Sequence, residues 1–126
     1  MSIDIATALR QGGISDMTTV GRKTGRPRRI EIYFHNLDGD LYITGKPGRR
    51  GWYANLLDNP QLTLHLKEGL QADVVASAEP VTDGQTRRAV LWRLLTERFD
   101  ISVGKAAQML DTWVTDSPLV KVTPAV

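Results

Sequence analysis

The chain has 126 residues, a length that suits a single domain built around one hydrophobic core. Hydrophobic residues make up 41% and charged residues 24%, ordinary globular values that exclude a disordered class and stable insertion into a membrane. The absence of cysteine excludes disulfides and thiolate chemistry. No secretory signal is visible at the start of the chain, so we expect a cytoplasmic protein.

The positive charge is concentrated in one segment of the chain. The formal net charge is only +2, but residues 22–50 hold eight basic and three acidic side chains, a local charge of +5 that leaves −3 for the remainder. A local cluster of this kind fits a confined anionic ligand better than a long polyanion, which needs an extended basic face. We therefore expect a small-molecule partner and no nucleic acid.

Apolar alternation and turn residues predict six strands. The segment 28–35 alternates between apolar and polar residues, and the Asp38-Gly39 pair that follows is typical of a type I′ hairpin turn. In chain order, the predicted strands cover residues 17–20, 28–35, 41–44, 62–67, 70–79 and 119–123. Most of them are joined by short turns, which predicts antiparallel pairing.

Helical patterns lie between and around these strands. Short helices are predicted over 3–11 and 52–58. A long helix opens with capping-box spacing at 82–85, and a further helix is predicted over 105–114. The long helix carries an apolar stripe that must face the sheet: Val90, Leu91, Leu94, Leu95 and Phe99. The sequence thus predicts an α+β, mainly β fold in one domain, residues 1–126. About six strands form a small antiparallel barrel with two or three helices packed outside.

Two basic clusters fall in predicted loops of this barrel. They are residues 21–29 (GRKTGRPRR) and residues 46–51 (KPGRRG), and Trp52 and Tyr53 follow the second cluster directly. Glycine lets backbone amides approach phosphate or carboxylate oxygens, and arginine offers a planar fork of donors. A single charge run is usually solvated surface, but two clusters beside aromatic residues favour a ligand site. The strands between them would line a slot for a flat ligand.

The sequence offers no catalytic side chain of its own and no metal site. His35 and His65 lie on polar faces of different strands with no carboxylate or second histidine at ligand spacing, so we predict surface histidines. No serine lies in a nucleophile elbow, and the Gly-x-Gly-x-x-Gly motif of dinucleotide-binding folds is missing. If the protein is an enzyme, a bound cofactor performs the chemistry.

Residues 18–28 (TTVGRKTGRPR) resemble the opening motif of the nitroreductases that depend on deazaflavin, coenzyme F420. The resemblance continues through residues 30–34, 38–40 and 45–46 and through 52–60 (WYANLLDNP), and it covers about half of the chain. It implies a split β-barrel related to FMN-binding oxidoreductases. It also implies an F420-dependent oxidoreductase, of the nitroreductase or quinone reductase type, that transfers hydride to a small electron-poor acceptor: a quinone, a nitroaromatic or an enone.

The resemblance also implies which residues bind the cofactor. The phosphate or acidic tail would contact Arg22, Lys23, Arg28 and Lys46, with Arg49 and Arg50 as further candidates, while the groove would be bordered by Tyr33, Thr44, Gly45, Trp52, Tyr53 and Asn55. Two departures leave the substrate open: the loop before Trp52 is short, and no tyrosine follows Tyr53. Trp92, Phe99 or Trp113 could take the place of late tyrosines near substrate, although such residues on helices are more often core.

Three other interpretations remain open at the level of sequence. The same barrel could bind FMN, because related barrels hold a phosphate with the same residue types. Residues 24–29 (TGRPRR) resemble an AT-hook, an arm that binds the DNA minor groove and normally lies in a disordered tail. The barrel could also bind a cofactor without turnover. Barrels of the flavin class commonly pair, which makes a homodimer an expectation by analogy alone.

Overall fold

Six antiparallel strands close into a barrel in the order β1-β2-β3-β6-β5-β4. The computed structural model describes residues 3–125. The strands are β1 Gly13–Val20, β2 Pro27–Leu37, β3 Asp40–Thr44, β4 Gln61–Leu66, β5 Ala72–Pro80 and β6 Leu119–Pro124. All six predicted strands and the fold class are confirmed. Strand β1 begins earlier than predicted because Gly13 already pairs with Phe34 of β2.

Within residues 3–125, four α-helices accompany the barrel, each at one of the helical stretches predicted above, although the predicted fold counted only two or three packed helices. They are α1 Ile5–Gln11, α2 Gly51–Asp58, α3 Gly84–Arg93 and α4 Val103–Asp116, and a π-helical segment, Leu94–Arg98, continues α3. The capping-box spacing at 82–85 predicts Thr82 as the N-cap of α3, and this prediction was wrong by one residue. The cap is Asp83, whose carboxylate accepts a hydrogen bond from the Thr86 backbone N–H at 2.9 Å.

The apolar residues form two cores, one on each side of the sheet. Inside the barrel lie Met17, Phe34, Ile43, Leu64 and Val120, among others. Outside it, the helix pair α3–α4 packs on β3 and β6 through the predicted stripe, in which Val90, Leu91, Leu94 and Leu95 are buried and Phe99 is partly buried. Each fully buried leucine of this stripe stabilises the fold by about 1.5–3 kcal/mol.

The barrel is split between β2 and β3. Residues 27–34 of β2 all pair with β1, but only residues 35–37 pair with β3. The pairing ends at His35, which lies opposite Tyr42. On the side of His35 toward the start of β2, the two strands separate. An opening in the barrel wall results, and the functional side chains described below gather around it. Within residues 3–125, no helix is long and apolar enough to cross a membrane.

Candidate functional site

The first basic cluster lies in a turn, residues 21–26, that joins β1 to β2. The Gly21 N–H donates to the Arg26 carbonyl at 2.8 Å, and the Gly25 N–H donates to the Gly21 carbonyl at 2.7 Å. A Cβ on Gly21 would lie 2.8 Å from the Thr24 hydroxyl oxygen, and Gly25 has φ 69°, so both positions need glycine. The tight turn holds the neighbouring cations at one end of the barrel.

These cations border a cavity of about 460 Å³, which we call the basic compartment. Its lining residues are Thr19, Gly21, Arg22, Lys23, Thr24, Arg28, Ile30, Gly51, Trp52 and Asn55. Asn55 on α2 joins the two sides of this compartment. Its side-chain Oδ1 accepts a hydrogen bond from the Arg22 backbone N–H at 3.1 Å, and its side-chain Nδ2 donates to the Thr19 hydroxyl at 3.1 Å. The side chain of Asn55 therefore positions the turn as well as lining the cavity.

The cations of this region lack acidic partners. Of the eight basic side chains between residues 22 and 50, Arg29 alone has a carboxylate within 4.0 Å among residues 3–125, namely Asp16 at 3.0 Å. Elsewhere in the described chain, four of the eight basic side chains are paired with carboxylates: Lys67, Arg88, Arg93 and Lys121. Seven cations without carboxylate partners in this one segment give it a positive potential that favours an anionic ligand.

The second basic cluster lies in the loop between β3 and α2, and hydrogen bonds fix this loop to the segment that joins α4 to β6. The Thr44 hydroxyl donates to the Pro118 carbonyl at 2.5 Å, and the Gly48 N–H donates to the Asp116 carbonyl at 3.1 Å. The Arg50 guanidinium folds back onto its own loop and donates to the Lys46 carbonyl at 3.0 Å. Arg50 therefore stabilises the loop in addition to lining the groove beside it.

A second cavity of about 550 Å³ occupies the split itself, and we call it the aromatic groove. Its lining residues are Glu31, Ile32, Tyr33, His35, Thr44, Gly45, Lys46, Arg50, Trp52, Arg98, Phe99, Ile101, Met109 and Trp113. Trp52 borders both cavities, so the two basic clusters meet at one rim. A polar cavity that continues into a mostly apolar one suits a ligand with an anionic tail and a flat ring.

The structure brings ten of the twelve residues predicted to bind the cofactor to this rim. Arg22, Lys23, Arg28, Trp52 and Asn55 line the basic compartment, and Tyr33, Thr44, Gly45, Lys46 and Arg50 line the aromatic groove. Arg49 and Tyr53 line a third cavity of about 650 Å³ on another side of the loop, with Arg87 and Ser117. We therefore leave Arg49 and Tyr53 out of the site proposed below.

The site predicted from the sequence lacked one wall of the groove, which comes from α4 and from the segment that joins α4 to the π-helix. Phe99, Ile101, Met109 and Trp113 close the groove on the side opposite β2. Their sequence pattern is that of an ordinary core stripe, and the only signal was the aromatic character of Phe99 and Trp113. Packing of α4 against the π-helical segment brings them to the split, with the Phe99 and Trp113 rings 5.9 Å apart.

The prediction that both histidines lie at the surface was wrong. The His35 ring is half-buried in the groove and packs against the Phe99 ring in a T-shaped arrangement, ring centroids 5.1 Å apart. Burial together with the charge of Arg98 lowers the pKa of His35 to about 4. His65 lies between Thr18 and Asp73, with each ring nitrogen 2.7 Å from an oxygen. No group of metal-ligating side chains occurs within residues 3–125.

A family model described as F420H(2)-dependent quinone reductase matches residues 3–111. The chain belongs to this family. Among curated relatives, an F420H(2)-dependent quinone reductase of Mycobacterium tuberculosis is 33% identical over 84 residues, which are 63% of this chain and 54% of the relative. The chain thus spans about half the length of the curated relatives it matches. The family membership confirms the resemblance to F420-dependent enzymes.

Solved structures confirm the split-barrel fold. A conserved hypothetical protein of Mycobacterium tuberculosis superposes with a TM-score of 0.73 at 16% identity, covering 100% of this chain and 83% of that one. A protein titled F420 reductase superposes with a TM-score of 0.69 at 18% identity, covering 100% of this chain and 97% of the other. At these identities the likeness establishes the fold alone.

Proposed function

We propose that this protein is an oxidoreductase that binds coenzyme F420 across the two cavities and reduces a quinone. Arg22, Lys23 and Arg28 bind the phosphate and the acidic tail in the basic compartment, while Lys46 lies at the rim of the aromatic groove. Trp52 separates the tail from the ring, and Tyr33, Thr44 and Gly45 border the ring. Nitroaromatic and enone acceptors belong to the same proposal as alternatives to the quinone.

One observation carries this proposal: five cations without carboxylate partners, Arg22, Lys23, Arg28, Lys46 and Arg50, line two cavities that meet at Trp52. A phosphate followed by carboxylates needs several cations along its path, and arginine binds both groups through paired hydrogen bonds. The neighbouring groove is lined mostly by apolar and aromatic side chains, which suits a flat ring. The family name supports F420 as the cofactor.

When bound, reduced F420 supplies the hydride, and the chain supplies position and environment. The basic compartment holds the tail and thereby places the ring in the split. The apolar wall of Phe99, Ile101 and Met109 limits the access of water to the reacting faces. The structure offers no carboxylate pair or nucleophile for covalent chemistry around the groove, where Glu31 is the one acidic lining residue of the described chain.

A titration of the purified protein with F420 and, in parallel, with FMN tests the proposed cofactor. Lys23→Glu or Arg28→Glu should weaken F420 binding by roughly 10- to 100-fold, because each loses a charge-assisted hydrogen bond and adds a repulsive charge. Lys105→Glu is the matched control: it changes the net charge equally at an exposed residue outside both cavities, and its affinity should be unchanged.

Equal F420 affinity in all three variants would count against the basic compartment, and tighter binding of FMN than of F420 would favour the flavin alternative. Oxidation of F420H2 in the presence of a quinone separates an enzyme from a protein that only binds the cofactor. Sedimentation equilibrium tests the homodimer, which remains a prediction.

The AT-hook interpretation finds no support in the fold. Residues 24–26 lie in a hydrogen-bonded turn and residues 27–29 lie in β2, paired with β1, whereas an AT-hook acts as a flexible arm. A salt-dependent affinity for A·T-rich duplex DNA would be the result that restores it.

A further inference from the structure

His35 lies at the inner end of the aromatic groove, where the strands of the split begin to separate. It lies where β2 and β3 separate, opposite Tyr42, and its neighbours across the groove are Phe99 and Trp113. Arg98 is the charged side chain that acts on the pKa of His35, and its guanidinium donates to the Asn36 carbonyl at 2.8 Å. The imidazole therefore packs against apolar side chains at the inner end of the groove, where it would face the edge of a flat ligand bound there.

Neither ring nitrogen of His35 has a hydrogen-bond partner among residues 3–125, whereas both nitrogens of His65 do. The nitrogens of His35 are also not sealed in the interior. Within the described chain, Ser117 Oγ is the single fully buried side-chain nitrogen or oxygen that lacks a partner. The His35 nitrogens are thus unsatisfied and accessible, a combination that favours a polar partner supplied by a ligand.

The protonation state limits what this partner can be. With a pKa of about 4, the ring is neutral at pH 7 and carries one N–H donor and one acceptor nitrogen. A neutral imidazole binds a carbonyl oxygen through its N–H without burying a charge in the apolar groove. A carboxylate ligand would instead favour the imidazolium, which burial and Arg98 both oppose.

We propose that His35 recognises the acceptor in the aromatic groove by donating an N–H hydrogen bond to a carbonyl oxygen of a flat quinone. This inference rests on the proposed function, since it names the residue that selects the acceptor class. His35 acts as a specificity-determining residue. It distinguishes a ring that bears a carbonyl from a hydrocarbon of the same shape, because only the carbonyl satisfies the imidazole donor.

The test uses menadione (2-methyl-1,4-naphthoquinone) and 2-methylnaphthalene, which has the same ring shape without carbonyls. In 15N-labelled wild-type protein, with and without saturating F420, menadione should shift the His35 ring nitrogen resonances and 2-methylnaphthalene should not. Since the chain has only two histidines, the spectrum of His35→Gln assigns the signals. No menadione-specific shift at either histidine, in either form, would overturn the proposal without any variant having to fold.

Affinities give the second readout. Wild-type protein should prefer menadione, and His35→Phe should lower that preference by about 3- to 10-fold, the worth of one neutral hydrogen bond, while 2-methylnaphthalene binds as before. His35→Gln keeps an N–H donor and should retain most of the preference. Equal loss in both variants, or no loss in either, would overturn the role of the hydrogen bond and leave His35 as a packing residue.

The same samples separate this inference from the proposed function. If F420 binds but menadione does not shift His35, the cofactor proposal stands and the role of His35 fails. If menadione shifts His35 but F420 does not bind, the cofactor proposal fails, whereas recognition of a carbonyl-bearing ring by His35 is supported.

Discussion

Replacing Arg87 with methionine should destabilise the protein by about 3–5 kcal/mol. Arg87 on α3 is only 9% exposed, and its guanidinium donates to the carbonyls of Val114 at 2.8 Å, Val81 at 2.9 Å and Ser117 at 2.7 Å. These carbonyls lie at the end of α4 and in the chain segments on either side of the helix pair. One side chain therefore ties α3 to the end of α4 and to the chain segments before α3 and after α4.

The magnitude follows from those contacts. Three hydrogen bonds to a charged donor contribute about 1.5–3 kcal/mol each, or roughly 4.5–9 kcal/mol together. Methionine recovers part of this because it fills similar space and no longer buries a charge, and a net loss of about 3–5 kcal/mol remains. Arg87→Lys keeps the charge, but an ammonium cannot reach three divergent carbonyls, so we expect a loss of about 1–3 kcal/mol.

Urea unfolding followed by tryptophan fluorescence measures these losses. For a slope of about 2 kcal/mol/M, Arg87→Met should lower the midpoint by roughly 2 M. Arg88→Met is the matched control, because it removes the same charge from the next residue, where an exposed pair with Asp111 contributes less than about 1 kcal/mol. Equal midpoints for Arg87→Met and Arg88→Met would refute the reasoning.

Three further predictions concern the groove and the turns. The pKa of His35 is about 4 in the folded chain and ordinary in the unfolded chain, so the free energy of unfolding should fall as the pH drops from about 6.5 to 4. His35→Phe should remove about 1–2 kcal/mol of this fall, measured by urea unfolding at pH 7 and at pH 5. Gly12→Ala should cost about 1–3 kcal/mol in thermal unfolding, because φ is 68° and a Cβ would lie 2.9 Å from the Phe34 carbonyl. Asn55→Leu should cost about 1–2 kcal/mol of stability and also weaken F420 binding, because the Arg22 N–H loses its acceptor.

Each of these has an outcome that contradicts it. A wild-type pH dependence identical to that of His35→Phe would show that the ring titrates alike in both states. Gly84→Ala is the control for Gly12→Ala, since a Cβ at Gly84 meets open space and should not destabilise; equal losses at the two glycines would exclude the steric argument. For Asn55→Leu, unchanged cofactor affinity would mean that the turn is positioned without Asn55.

Local sequence patterns were sufficient for the strands and for the basic rim. Apolar alternation and the Asp38-Gly39 turn depend on neighbours a few residues apart, so all six strands followed from the sequence. The basic residues at 22–28 lie in the turn at 21–26 or at the strand end beside it, and for this reason Arg22, Lys23 and Arg28 lie together at one cavity. The capping error at Asp83 is also local, since several adjacent residues there can cap a helix.

The remainder depended on contacts between distant segments. Arg49 and Arg50 are adjacent in sequence, but the conformation of the loop places Arg49 at the third cavity and Arg50 at the aromatic groove. Periodicity described Phe99 as one more core residue and His35 as a surface residue, because neither pattern shows where β2 and β3 separate. The sequence by itself determined which elements form and where the positive charge collects. Only the tertiary structure decided that the barrel opens beside His35, because that opening is set by how many residues of β2 pair with β3.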